Sequence, residues 1–200
     1  MRKLIILFSM VAGLCVFASA QSSEIAVVAG AKLSQSFRNS GGTSRTDIDP
    51  SFTFGASFAA RIVGNSGLAL QVVVPFTAVP SSHLNSDNLF TAKSYSAYYV
   101  TPGLRLKLAP DGPVSPWIEA GVGIVHFGPS STNLGNVPSG FSSTTKMAFD
   151  GGGGVDLRPA HSPIGFRVAI HEFYTGRPDF VPRFSVHNNV IVDGGIVFRF

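Results

Sequence analysis

The chain has 200 residues, of which only 13% are charged, about half of the roughly 25% found in an ordinary soluble domain. Its 17 phenylalanines and 44% hydrophobic residues exclude a disordered chain, which needs low hydrophobicity and many charges. A single cysteine excludes a disulfide framework and a thiolate metal cluster, and the net charge of +4 arises from scattered bases that form no stripe suited to nucleic acid.

The first segment in chain order reads as an export signal. Arg2 and Lys3 precede an apolar run from Leu4 to Val16, and Ala18-Ser19-Ala20 supplies a small-residue cleavage pattern. The run is shorter than the roughly 20 residues of a transmembrane helix. Cys15 follows the bulky Leu14 and lies upstream of the better cleavage site, so no lipid anchor is expected there. The expectation is a signal peptide over 1–20 and one mature domain over 21–200. Without Arg2 and Lys3 the mature chain carries 13 bases and 11 acids.

From there on the pattern has period two, the signature of strands. Phe52, Phe54, Ala56, Phe58, Ala60 and Ile62 share one face, opposite Ser51, Thr53, Gly55, Ser57, Ala59 and Arg61. Eight strands are predicted, over 24–37, 51–63, 68–79, 93–108, 115–128, 144–158, 164–176 and 187–200. Short connections carry turn chemistry (Gly64–Gly67, Pro110–Pro113, Pro159–Pro163). Long polar ones over 38–50, 80–92, 129–143 and 177–186 alternate with them. That alternation predicts an all-β fold, an eight-stranded antiparallel up-and-down transmembrane β-barrel, with the short turns and both chain ends on the periplasmic side. Pro75 and Pro102 fall inside predicted strands, where bulges would accommodate them.

Charge parity decides which face meets lipid. A soluble lipocalin-like barrel also alternates, with its apolar set inward. Here the face opposite the apolar set holds mainly Gly, Ser, Ala and Thr with sparse ions. These ions are Glu24, Lys32, Arg61, Lys93, Arg105, Lys107, Glu119, Lys146, Asp150, Asp156, Arg158, Arg167, Asp193 and Arg199. Small residues suit a narrow interior, so the large apolar face is assigned to lipid. Glu172 alone breaks the rule, near the rim, where a lipid-facing charge costs only about 0–1 kcal/mol.

Three stretches carry a family resemblance: Thr101-Pro102-Gly103-Leu104-Arg105-Leu106-Lys107-Leu108, Pro116-Trp117-Ile118-Glu119-Ala120-Gly121-Val122-Gly123, and Asp193-Gly194-Gly195-Ile196-Val197-Phe198-Arg199-Phe200. Together they resemble the outer-membrane β-barrel domain family of small OmpA- and OmpX-like barrels, over the whole mature chain. The resemblance implies the barrel fold but leaves function open among anchors, adhesins, small-solute channels and a few enzymes. No peptidoglycan-binding domain follows the barrel, so an OmpA-style tether is not expected. The resemblance also implies that the C-terminal aromatic, Phe200, is an assembly signal read by the outer-membrane assembly machinery.

The expected lumen ion network comprises Arg61, Arg105, Glu119, Asp150, Asp156, Arg167 and Asp193. Across short turns Asp156 should oppose Arg167 and Glu119 should oppose Arg105, and buried ions must pair. Such a network reads either as a structural plug or as a narrow polar path. A second candidate lies at the long-loop rim, where His126, Glu172, Ser130 and Ser131 are the residue types of nucleophilic acyl chemistry. The same residues suit a bland reading as interfacial polar groups. Gly151–Gly154 run into a strand rather than a helix, so they read as close backbone approach and not as a phosphate loop. Tyr95, Tyr98, Tyr99, Trp117, Phe173 and Tyr174 are expected in interfacial girdles. The five histidines show no metal-ligand spacing, so no metal site, cofactor or catalytic residue is expected. The functional expectation is a monomeric, non-enzymatic outer-membrane barrel with a structural or surface-interaction role. Its partners would be outer-membrane lipid and the assembly machinery, with no nucleic acid and an unassigned loop ligand. The alternatives are a lipid A acyl hydrolase-like enzyme and a narrow, porin-like solute channel.

Overall fold

In lipid every backbone polar group must be satisfied internally, so strands with one apolar face must close on themselves. The computed structural model describes residues 22–33, 35–38, 45–86, 94–129, 143–159, 162–175 and 187–200. The export signal expected over 1–20, Lys93, Ser130 and Ser131 lie outside the described residues. The strands are β1 (Ser23–Lys32), β2 (Gln35–Arg38), β3 (Arg45–Ile48), β4 (Ser51–Gly64), β5 (Leu68–Ser86), β6 (Ser94–Val100), β7 (Gly103–Leu108), β8 (Val114–Pro129), β9 (Thr144–Leu157), β10 (Ile164–Thr175) and β11 (His187–Arg199).

They build a closed, all-antiparallel barrel of eight staves: β1, β4, β5, β6 with β7, β8, β9, β10 and β11. Closure joins the first stave to the last, from Glu24↔Arg199 to Lys32↔Ile191. Both ends of the barrel meet there, where the Ser23 and Phe200 backbones exchange hydrogen bonds of 2.9 and 3.0 Å.

Three predicted strands have different limits. The strand expected over 24–37 is β1 followed by the separate β2, which pairs with β3 as a hairpin beyond the barrel. The strand expected over 68–79 continues to Ser86, because its far end is hydrogen-bonded by β3. The strand expected over 93–108 is divided at Thr101-Pro102. Pro75 lies inside an unbroken β5. Both prolines sit at one interruption of the ladder, where β5 passes from β7 (Val73↔Gly103) to β6 (Phe76↔Val100). The register shifts lie elsewhere, between Arg61 and Val63 and between Val79 and Ser82. The interruption spans two residues, so side-chain parity survives it: Tyr95, Ala97, Tyr99, Thr101, Arg105 and Lys107 are all buried inside.

The outer surface is apolar. Phe52, Ile118 and Phe166 are more than 60% exposed, in company with Val27, Met147, Val168 and Phe200. At about 25 cal/mol per Å² of apolar surface, such a belt is untenable in water and natural in hydrocarbon. The girdle expectation is corrected for four of its six aromatics. Tyr98 and Tyr174 point outward, but Tyr95, Tyr99, Trp117 and Phe173 are buried inside the barrel. Their parity explains it, since Trp117 stands two residues before the inward Glu119 and Phe173 six after the inward Arg167.

Candidate functional site in the barrel interior

The interior is layered from the short-turn mouth upward. At the mouth, Arg199 Nη2 lies 2.6 Å and Arg61 Nη2 3.3 Å from Asp111 Oδ1, while Arg199 Nη1 donates to the Pro110 carbonyl at 2.7 Å. Burial raises the Asp111 carboxyl, but its bond to Arg199 and the two guanidinium charges outweigh this and hold it below its ordinary value of 3.8. Arg61, expected in the central network, is instead part of this mouth. Its stave bulges next to it, and its guanidinium reaches the exposed turn.

Above the mouth lies an ionic knot drawn from four staves. Lys107 Nζ donates to Glu24 Oε1 and to Asp156 Oδ2, both at 2.6 Å. Arg167 sits opposite Asp156 across the turn and grips it with Nε at 2.7 Å and Nη2 at 2.8 Å. Trp117 Nε1 donates to the same carboxylate at 3.2 Å. All four ionic side chains are buried. Glu24, Lys107 and Trp117 were missing from the expected network. The two ions were already on the inward-parity face, so the signal that could have found them was present in the alternation.

The next layer holds Arg105, which faces Glu119 in the ladder and binds its Oε2 at 2.6 Å. The Arg105 guanidinium lies 4.2 Å from the Trp117 ring centre, and that of Arg167 lies 5.1 Å from it, both in cation–π range. His171 places Nδ1 3.4 Å from Glu119 Oε1 and 3.4 Å from Asp150 Oδ1. Thr101 donates to Asp150 Oδ2 at 3.3 Å. Asp193 is buried close by, lining one small cavity with Glu119 and His171.

Toward the long-loop end the interior turns apolar. Val79, Tyr95, Ala97, Tyr99, Val125, Phe127, Ala148, Phe173 and Ile191 form one buried cluster, with the Tyr99 and Phe173 ring centres 4.4 Å apart. Beyond it Lys32 donates to Ser82 at 2.9 Å and to Tyr95 at 2.8 Å. The inward glycines of β9 make room for rings from neighbouring staves. A Cβ on Gly154 would come 2.6 Å from the Trp117 ring, and one on Gly152 would come 2.7 Å from His171 Nδ1.

Of the rim residues, the described His126 and Glu172 do not come together. His126 bonds Thr145 Oγ1 at 2.9 Å, and Glu172 accepts from Asn188 at 2.8 Å. They lie on β8 and β10, with β9 between them.

No family model and no curated protein matches the chain. Solved structures do. Neisserial surface protein A superimposes with a TM-score of 0.58 at 17% identity, over 90% of this chain and 97% of that one. The fold is that of the small outer-membrane barrels. OprG from Pseudomonas aeruginosa gives 0.57 at 14% identity, over 90% of this chain and 96% of its own. Ail, the attachment invasion locus protein of Yersinia pestis, gives 0.53 at 14%, over 90% and 99%. For this outer-membrane barrel fold, the likeness concerns the path of the chain and not the lumen side chains.

Proposed function

We propose that the protein is a non-enzymatic barrel of the bacterial outer membrane, with a closed lumen and a structural or surface-interaction role. Residues 1–20 act as a cleaved export signal, and the long connections form the external surface. The observation that carries this reading is the filled interior. The Tyr99–Phe173 contact and its apolar neighbours stand above an ionic knot whose charges are already paired. An ion crossing the lumen would have to shed its water in the apolar layer and then break bonds of about 2.6–2.8 Å between charged groups. Charge-assisted bonds of this kind are roughly twice as strong as neutral ones. The two inward arginines and Trp117 brace the knot rather than line a path.

The test has two arms. The mature chain, refolded and inserted in planar bilayers, should show no steady conductance; a persistent current overturns the closed lumen and favours a solute channel. On intact cells, external protease should cut within 38–50, 80–92, 129–143 or 177–186. Cleavage confined to 64–67 or 110–113 reverses the orientation. A lipid A mass spectrum altered by the protein's presence would reinstate the hydrolase alternative.

A further inference from the structure

Halfway along the lumen three side chains from three staves converge: Glu119 on β8, Asp150 on β9 and His171 on β10. One ligand-capable atom from each lies within 4.8 Å of the others. The two 3.4 Å separations from His171 Nδ1 are longer than a good N–H···O bond of about 2.7–3.2 Å. They match the edge, about 3.3–3.4 Å, of a tetrahedron whose metal–ligand distances are about 2.0–2.1 Å. Glu119 has its other oxygen, Oε2, held by Arg105 at 2.6 Å, and Asp150 has long contacts on both oxygens, Oδ2 with Thr101 at 3.3 Å and Oδ1 with His171 at 3.4 Å. Outer partners of this kind orient metal-ligating carboxylates. Glu119 Oε1 is left buried without a hydrogen-bond partner, facing His171.

Two further observations bear on that reading. Asp193 Oδ1 is also buried without a hydrogen-bond partner, and Asp193 lines with Glu119, His171, Arg105 and Arg167 a cavity of about 20 Å³ that Asp150 does not line, room for one water. The buried set around it holds five carboxylates (Glu24, Glu119, Asp150, Asp156, Asp193) against three bases, Arg105, Lys107 and Arg167. With His171 neutral, as an imidazole ligand must be, the formal excess of two negative charges equals the charge of one divalent ion, and buried charge must be compensated. Lys32 offers no relief, being held by Ser82 and Tyr95 nearer the long-loop end.

We propose that Glu119, Asp150 and His171 form a lumenal site for one divalent transition-metal cation of the zinc class. The imidazole ligand disfavours calcium and magnesium, which take oxygen. Asp193 completes the shell, directly or through a water. This departs from the expectation drawn from histidine spacing, because the ligands come from three neighbouring staves, and the register that sets Glu119 and His171 on either side of Gly152 brings them together.

The test uses the refolded, untagged mature barrel, stripped with chelator and titrated with Zn²⁺ alone, then with Co²⁺ as a spectroscopic reporter. One equivalent should bind, Co²⁺ should give the intense visible bands of tetrahedral coordination, and Zn²⁺ should raise the unfolding midpoint. His171→Gln should abolish the tight equivalent and the cobalt bands while retaining the folded gel mobility and β circular dichroism. Asp150→Asn serves the same purpose if that variant does not fold. His126→Ala, which removes an imidazole from the outer surface, should change neither. Asp193→Asn should weaken binding about 10–100-fold, as outer-shell losses do. Absence of zinc binding by the parent, absence of tetrahedral cobalt bands, survival of the tight equivalent in His171→Gln, or its loss in His126→Ala would each overturn the site.

Discussion

Asp156 carries more of the interior than any other single carboxylate, accepting from Arg167 twice, from Lys107 and from Trp117. Removing one partner from a buried ion pair costs about 3–5 kcal/mol, chiefly through the charge left behind. Asp156→Ala should lower stability by that order in urea unfolding in micelles. Adding Arg167→Ala should return part of the loss. Losses that simply add, to within about 0.5 kcal/mol, would mean that the two residues do not interact. Asp111 tests the opposite regime, an exposed carboxylate at the mouth. Burial is the largest single effect on it and raises its pKa, but the bonds and charges of Arg199 and Arg61 together outweigh burial and lower the folded-state value. Its contribution is therefore present above the ordinary carboxyl value and lost as pH falls through the lowered one. Solvent screening limits it to about 0.2–1 kcal/mol. The stability gap between the parent and Asp111→Asn should have that size at neutral pH and close as pH drops below about 4. A gap unchanged in acid would assign Asp111 another role.

At the scale of the element, β9 shows why two of its four consecutive glycines are needed. Gly152 and Gly154 face inward beneath His171 and Trp117, whereas Gly151 faces outward with nothing within 4 Å of its would-be Cβ. A Cβ at Gly154 would also meet the Val168 carbonyl oxygen at 2.5 Å, and backbone does not yield as a flexible side chain does. Gly154→Ala should cost about 1–3 kcal/mol through overpacking. Gly151→Ala should stay within about 0.5 kcal/mol. Equal effects at the two positions, read from unfolding midpoints, would remove the ring-packing explanation. The proline pair in β5 and at Thr101-Pro102 follows similar logic: two residues that cannot donate sit at one gap in the ladder, and the register is kept across it without reversing any side chain.

For the whole molecule the decisive event is closure. Phe200 ends the last stave beside Phe198, ring centres 5.9 Å apart, and is 59% exposed on the lipid side. It contributes two backbone bonds to Ser23 and little buried area. If the terminal aromatic is the assembly signal, deleting it should sharply reduce the membrane-inserted yield in cells. Refolding of the purified protein in detergent should stay near normal. Normal insertion of the truncated chain would remove that role.

Period-two alternation, turn residues and the parity of the charges were enough to derive eight staves, the lipid face and the inward position of the ions. These are local properties: successive strand side chains point to opposite faces, and hydrocarbon tolerates few charges on one of them. The contacts of Asp156 with Arg167 and of Glu119 with Arg105 were legible for the same reason, each spanning a single short turn. The tertiary structure alone decided the rest. Glu24 meets Lys107 because curvature and closure bring non-adjacent staves to a common axis, and His171 meets Glu119 and Asp150 because the register of three neighbouring staves sets them around Gly152. The inward turn of Trp117 was decided by room as well as parity, since the inward Gly154 on β9 leaves space for its ring, while Tyr99 and Phe173 turn inward by parity and pack on each other. Alternation specifies which way a side chain points; only the closed cylinder determines what stands opposite it.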